Sequence, residues 1–386
     1  MLIILLVMFA AWIYWFTKAK DTAENFSRSV RNIPTEYLQG LNYVLNEQQD
    51  KAIEVFIKML EVDSDTVETH LALANLFRRR GEVDRAIRIH QNLIARPTLS
   101  EEQRSVALQE LALDYMRSGL LDRAENLFKE LANIGAYSLQ ANTQLLDIYQ
   151  QEKDWESAII TARRLQSITD DDLSPVIAQF HCELAEQSTA HGNHREAREQ
   201  IHRALNMDPG CVRASILEAE TALADGRVKA AIKYFKRIEK QDPAYLSEVV
   251  ASIMDCYREL GKLDECRKYL HELVAQHGGF TPMLYLTRLI EETSGKKEAI
   301  SFISAELRQR PTVRGVDKLL EYVLDMAEGE IRENLQTIKD MTDKLQKDYS
   351  LYRCQQCGFD AKVLHWQCPS CKQWSTIKPV VGVAGE

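Results

Sequence analysis

Four cysteines near the end of the chain, Cys354, Cys357, Cys368 and Cys371, form two Cys-x-x-Cys hooks separated by ten residues. Such a hook curls the backbone so that two thiolates face one ion, and two hooks complete a tetrahedral four-sulfur site. Gly358 follows the first hook, where the turn calls for a positive φ, and Lys372 stands at the matching place after the second. The segment 347–386 is too short to be held by an apolar core alone. Ligation worth about 10–16 kcal/mol in small zinc peptides is enough to decide its folding. The expected cofactor is one structural metal ion, zinc or iron. Tyr349, Tyr352, Phe359, Trp366 and Trp374 are expected to pack round the site or against the last helices.

No other grouping points to catalysis. The chain lacks a phosphate-cradling glycine loop and a nucleophile elbow. His191-x-x-His194 surrounds a glycine and reads as a solvated turn. The remaining cysteines, Cys182, Cys211, Cys256 and Cys266, are scattered through helical sequence and read as small buried apolar residues in a reducing compartment. A formal charge of −9 argues against nucleic acid as a partner. Sixteen glycines and nine prolines in 386 residues are few for a strand-and-turn protein, so the expected fold class is all-α.

The elements that must carry the hooks form a repeat. One small residue recurs at Ala52, Ala86, Ala124, Ala158, Ala197, Ala231, Cys266 and Ala299, at spacings of 33 to 39 residues. Nine positions earlier stand Tyr43, Phe77, Tyr115, Tyr149, Ser188, Ala222, Tyr257 and Ile290; five positions earlier glycine recurs at Gly81, Gly119, Gly192, Gly226 and Gly261. Paired antiparallel helices need a tight turn, a small residue where they cross and a larger one beside it. Pro97, Pro209, Pro243 and Pro311 close several units. The pattern resembles the tetratricopeptide repeat. That resemblance implies a solenoid of about eight units over residues 33–311, whose first helices line a groove. Arg78, Arg79, Leu113, Met116 and Arg117 are expected to face that groove as an exposed surface for an extended acidic peptide, a solvated face being the alternative. Residues 312–346 are expected to form a capping helix pair with an apolar stripe of Ile331, Leu335, Ile338, Met341 and Leu345.

Residues 1–17 carry no charge, and Lys18, Lys20, Arg28 and Arg31 follow them. As a helix the segment spans about 25 Å, the short limit for a bilayer core. It reads as a single-pass transmembrane anchor followed by a juxtamembrane linker at 18–32. By the positive-inside rule the N-terminus is periplasmic and the rest cytoplasmic. A cleaved signal peptide is the alternative, but no basic residue precedes the apolar run.

Two further resemblances complete the reading. The hooks, Cys354-x-x-Cys357-Gly358 and Cys368-Pro369-x-Cys371, resemble those of rubredoxin, with a shorter spacer, giving a rubredoxin-like or zinc-ribbon domain. An electron carrier is the redox alternative this leaves. The order of anchor, repeats and knuckle resembles the lipopolysaccharide assembly protein B family from end to end. That resemblance implies a non-enzymatic adaptor in the bacterial inner membrane. Its partners would be a membrane-bound ATP-dependent zinc protease, the committed-step lipid A biosynthesis deacetylase, and other lipopolysaccharide assembly or envelope proteins. In that family the anchor and the four cysteines are needed for function. A passive assembly scaffold predicts the same parts. The oligomeric state stays open, a homo-oligomer included.

Overall fold

The computed structural model describes residues 35–62, 66–347, 349–382 and 385. The expected anchor, 1–17, and linker, 18–32, lie outside the described residues. Among those described, no helix is long and apolar enough to cross a membrane.

The described chain holds eighteen α-helices and then one small sheet, and divides into two compact units between Glu152 and Lys153. The first unit contains α1 (Thr35–Leu45), α2 (Gln49–Val62), α3 (Val67–Arg80), α4 (Val83–Ile94), α5 (Glu101–Arg117), α6 (Leu121–Leu131) and α7 (Ser138–Glu152). The second begins with α8 (Trp155–Thr169), α9 (Ser174–Ala190), α10 (His194–Met207), α11 (Val212–Ala224) and α12 (Val228–Gln241). It continues with a 3-10 turn (Pro243–Tyr245), α13 (Leu246–Glu259), α14 (Leu263–His277), α15 (Phe280–Ser294), α16 (Lys296–Gln309), α17 (Val313–Leu324) and α18 (Gly329–Lys347).

The eight recurring small residues are all fully buried, each at 0% exposure. A side chain no larger than a methyl or thiol lets two helices approach there, and burial follows from the closeness of the approach. Phe77, Tyr115, Tyr149 and Tyr257 are buried as well; Ser188, where the aromatic is missing, is half-buried. The turn between paired helices has one recurring left-handed residue. Glycine fills it at Gly81, Gly119, Gly192, Gly226 and Gly261, with φ between 65° and 89°. In the two turns without glycine, Glu47 and Lys153 adopt φ of 57° and 59°. The turn geometry therefore persists where the residue best suited to it does not, because the helix pair fixes the backbone and a Cβ is tolerated at a modest cost. The prolines fall just after α4, α10, α12 and α16, as the pattern predicts.

Two expectations need correction. Arg78 lines the cleft of the first unit but is not a free, exposed cation there: its guanidinium binds Glu110 at 2.6 Å and the buried Asp114 at 2.9 Å. Asp114 also accepts from His90 Nδ1 at 2.6 Å, so α3, α4 and α5 share one buried polar junction. The apolar stripe of α18 is not packed either, since Ile331, Ile338 and Met341 are exposed and Leu335 is half-buried. The face turned to α17 is polar instead. Lys339 Nζ lies 2.7 Å from Asp317 and 2.9 Å from Asp343, and Arg332 caps the Leu324 carbonyl at the end of α17. A paired, half-buried cation set the rotation of this helix, where periodicity favoured the stripe.

Removing one member of a buried charged junction strands the others without water. Asp114→Leu is expected to lower stability by about 3–5 kcal/mol, read from the urea transition. Combined with His90→Leu, which removes a second stranded group, the loss should fall short of the sum. Strict additivity would mean that Asp114 and His90 are not coupled.

Candidate metal centre

The knuckle is a three-stranded antiparallel sheet in the order β2-β1-β3, with β1 at Tyr352–Cys354, β2 at Asp360–Ala361 and β3 at Ile377–Pro379. Each hook closes with the same turn. Gly358 N–H donates to the Cys354 carbonyl at 3.0 Å, and Lys372 N–H donates to that of Cys368 at 2.9 Å. Both turns need a left-handed residue: Gly358 has φ 76° and Lys372 φ 61°. The departure at Lys372 thus changes the residue and leaves the geometry intact.

The four sulfurs lie within 4.8 Å of one another. Cys354 and Cys371 are 3.8 Å apart, and Cys357 and Cys368 are 3.7 Å apart. A tetrahedron with metal–sulfur bonds of about 2.3 Å has edges of about 3.8 Å. The spacing is that of a four-thiolate cage and far too long for disulfides. Burial pushes the Cys354 thiol up, but its contact with Thr376 Oγ1 and hydrogen bonds from the N–H groups of Cys357 and Gln356 outweigh it and bring it down to about 6. At Cys371 the Gln373 N–H favours the thiolate, yet burial and the neighbouring sulfurs of Cys368, Cys357 and Cys354 drive it up to about 11. One thiolate forms readily and the next resists. A divalent cation at the centre removes that repulsion, so the donor set fits one structural zinc or iron ion.

The knuckle docks on the middle of the second unit, at a site no motif announced. Trp374 meets Trp155 and Phe180 edge-on, at centroid distances of 6.0 and 5.8 Å. Trp366 stacks on Tyr245 at 5.5 Å and lies 5.9 Å beneath the Arg213 guanidinium. Polar contacts set the register. Tyr245 Oη donates to the Ile377 carbonyl at 3.0 Å, Gln179 Nε2 to Ser375 Oγ at 3.0 Å, and Lys378 pairs with Asp242 at 2.7 Å. Burial pushes the Tyr245 phenol far up, which keeps it a donor. Arg213 is 97% buried yet compensated, with Glu183 at 2.8 Å and Glu186 at 2.7 Å.

The knuckle aromatics were expected round the ion or on the last helices; Trp366 and Trp374 instead reach α8, α9, α11 and the 3-10 turn. The physical reason is complementarity. Those elements offer the aromatic rings and a paired cation, whereas α18 offers only its exposed stripe. Sequence reading missed Trp155, Gln179, Arg213 and Tyr245, and a buried arginine shows no local signature.

In the first unit the structure brings the five expected groove residues together. Arg78, Arg79, Leu113, Met116 and Arg117 line one open cleft of about 600 Å³ with Gln49 and Gln144. Arg79 and Arg117 are exposed, and neither makes an ion pair among the described residues. His191 and His194 are exposed at their turn.

Fold and site together define a tetratricopeptide-repeat protein carrying a rubredoxin-type four-cysteine metal centre. The rubredoxin metal binding domain family matches residues 352–379, and tetratricopeptide repeat families match 69–104 and 189–245. Lipopolysaccharide assembly protein B of Escherichia coli strain K12 is 39% identical over 100% of this chain and 99% of its own length. The Haemophilus influenzae protein of the same name is 36% identical over 98% of both. The chain belongs to the lipopolysaccharide assembly protein B family. Among solved structures, the MamA protein is similar at 21% identity with a TM-score of 0.31, over 47% of this chain and 95% of its own.

Cys368→Ala is expected to abolish stoichiometric metal binding and to free the knuckle for proteolysis, while the helices keep most of their circular dichroism, since each pair rests mainly on its neighbours. Trp366 and Trp374 should move towards water, shifting emission to the red. One retained equivalent of metal with a protected C-terminal fragment would exclude this site.

Proposed function

We propose that the protein is a membrane-anchored adaptor in lipopolysaccharide assembly, which presents the lipid A deacetylase to a membrane-bound ATP-dependent zinc protease. Membership of a family whose members are named for lipopolysaccharide assembly, over the full length, supports the pathway. The observation that carries the adaptor reading is the cleft of the first unit. Leu113 and Met116 offer apolar surface there, flanked by the exposed cations Arg79 and Arg117. An extended acidic segment of a client would bury its apolar side chains against the first pair and meet the second with its carboxylates.

Residues 1–17 supply the other half of the reading. As an inner-membrane anchor they would hold the scaffold at the bilayer surface and raise its effective concentration near a membrane protease. The repeats and knuckle would then face the cytoplasm. The docked knuckle stiffens the second unit by tying α8, α9, α11 and the 3-10 turn to one small block, in keeping with a structural rather than a redox metal.

The test is the lifetime of the deacetylase in cells carrying wild-type protein, Arg79→Glu with Arg117→Glu, a chain lacking residues 1–17, or Cys368→Ala. Each variant is expected to lengthen it several-fold. The double charge reversal should leave helicity unchanged, because both side chains stand outside the buried Arg78–Asp114–His90 junction. The anchorless chain should still capture the client. An unchanged lifetime in all variants rejects the adaptor and leaves a passive scaffold.

A further inference from the structure

A second pair of cysteines lies directly beneath the docked knuckle. Cys182 on α9 and Cys211 at the start of α11 are 29 residues apart in sequence, yet their sulfurs approach to 3.9 Å. Both are buried, packed in a core cluster with Ala178, Ala204 and Ala214 and flanked by Leu205, Met207 and Leu217. Three residues form the roof, and each also touches the knuckle. Gln179 Nε2 donates to Cys211 Sγ at 3.4 Å and to Ser375 Oγ at 3.0 Å. Arg213 and Tyr245 lie close enough to the thiols to feel their charge, and both contact Trp366.

We propose that Cys182 and Cys211 form a peroxide-oxidisable dithiol which the docked knuckle shields, and which closes to a disulfide when the knuckle leaves. The two sulfurs are unequal, as such chemistry requires. Hydrogen bonding from Cys182 lowers the Cys211 thiol, helped by the Ala214 N–H at the helix start, while burial raises Cys182. Cys211 stands at the N-cap of α11 and accepts from Gln179 Nε2, both of which favour its thiolate, so it is the attacking sulfur. It displaces hydroxide from the peroxide O–O bond and becomes a sulfenic acid, and the hydroxide takes the proton that Cys211 gave up. Cys182 then attacks the Cys211 sulfur and expels the second hydroxide, which leaves as water with the Cys182 proton. Two thiols and one hydrogen peroxide give one disulfide and two waters, two electrons passing from sulfur to oxygen. The new bond would tie α9 to the start of α11, in the surface that receives Trp366 and Ser375.

Access governs the rate, because a thiol under a docked block reacts only from an opened state. The full-length chain, metal-loaded, is exposed to excess hydrogen peroxide. It is then denatured, alkylated with N-ethylmaleimide and mapped as non-reduced peptides. A Cys182–Cys211 linked peptide, cleaved by dithiothreitol, is expected in every arm that keeps both cysteines. It should form about tenfold or more faster in Trp374→Ala, which weakens docking with the hooks intact, and in Cys368→Ala. In Cys182→Ser, a sulfenic acid on Cys211 should be trapped by dimedone. Cys256 and Cys266, buried without a partner sulfur in reach, should stay alkylatable. Two outcomes overturn the proposal: Cys182 and Cys211 both remaining alkylatable in every arm that keeps them, or equal rates of linkage whether or not the knuckle is docked.

Discussion

The close crossing of paired helices at a residue too small to hold them apart is the constraint on which the rest depends. At Ala52, Ala86, Ala124, Ala158, Ala197, Ala231, Cys266 and Ala299 nothing of the side chain reaches solvent. Interiors pack at near-crystal density, so an added methylene there must displace a neighbouring helix. Within each unit a crossing fixes the angle of one pair, and that pair supplies the wall of the next. The left-handed turn follows from the same closeness, and is kept by Glu47 and Lys153 where no glycine is present.

On this framework the two units differ in how they use their polar groups. In the first, Arg78, Glu110, Asp114 and His90 are consumed in joining α3, α4 and α5. Arg79 and Arg117 remain on the surface of the cleft. In the second, Arg213 has two carboxylates and a tryptophan face, and that compensation lets a cation sit beneath a docked domain. A charge buried without such partners would cost more than the docking could return.

The knuckle has too few residues to fold by burial and depends on four sulfurs sharing one ion. Its docking surface is dominated by two tryptophans inserted among aromatic rings, with Tyr245, Gln179 and Asp242 fixing orientation. Metal, knuckle and the middle of the second unit are thereby linked: whatever loosens the first exposes the surface beneath the second. The dithiol under Gln179 lies at the end of that chain of contacts.

The hooks were legible in the sequence because ligand geometry is local: two residues between cysteines, and a left-handed residue after each hook, suffice. The repeat was legible because helix crossing imposes a period on residue size. What lay beyond reach were contacts between residues far apart in the chain. Nothing local distinguishes Arg78, which is locked to Asp114, from Arg79, which is not; the difference arises only when α5 packs against α3. The α18 stripe was misread because periodicity reports which face is apolar, while the Lys339–Asp317 pair decided which face was turned inward. The docking of Trp374 on Trp155 and Phe180, and the meeting of Cys182 with Cys211, likewise required the array to be assembled. Composition and spacing determined the parts of this protein, since those rest on short-range sterics and ligand geometry; only the tertiary structure decided which buried charges find partners and where the metal knuckle comes to rest.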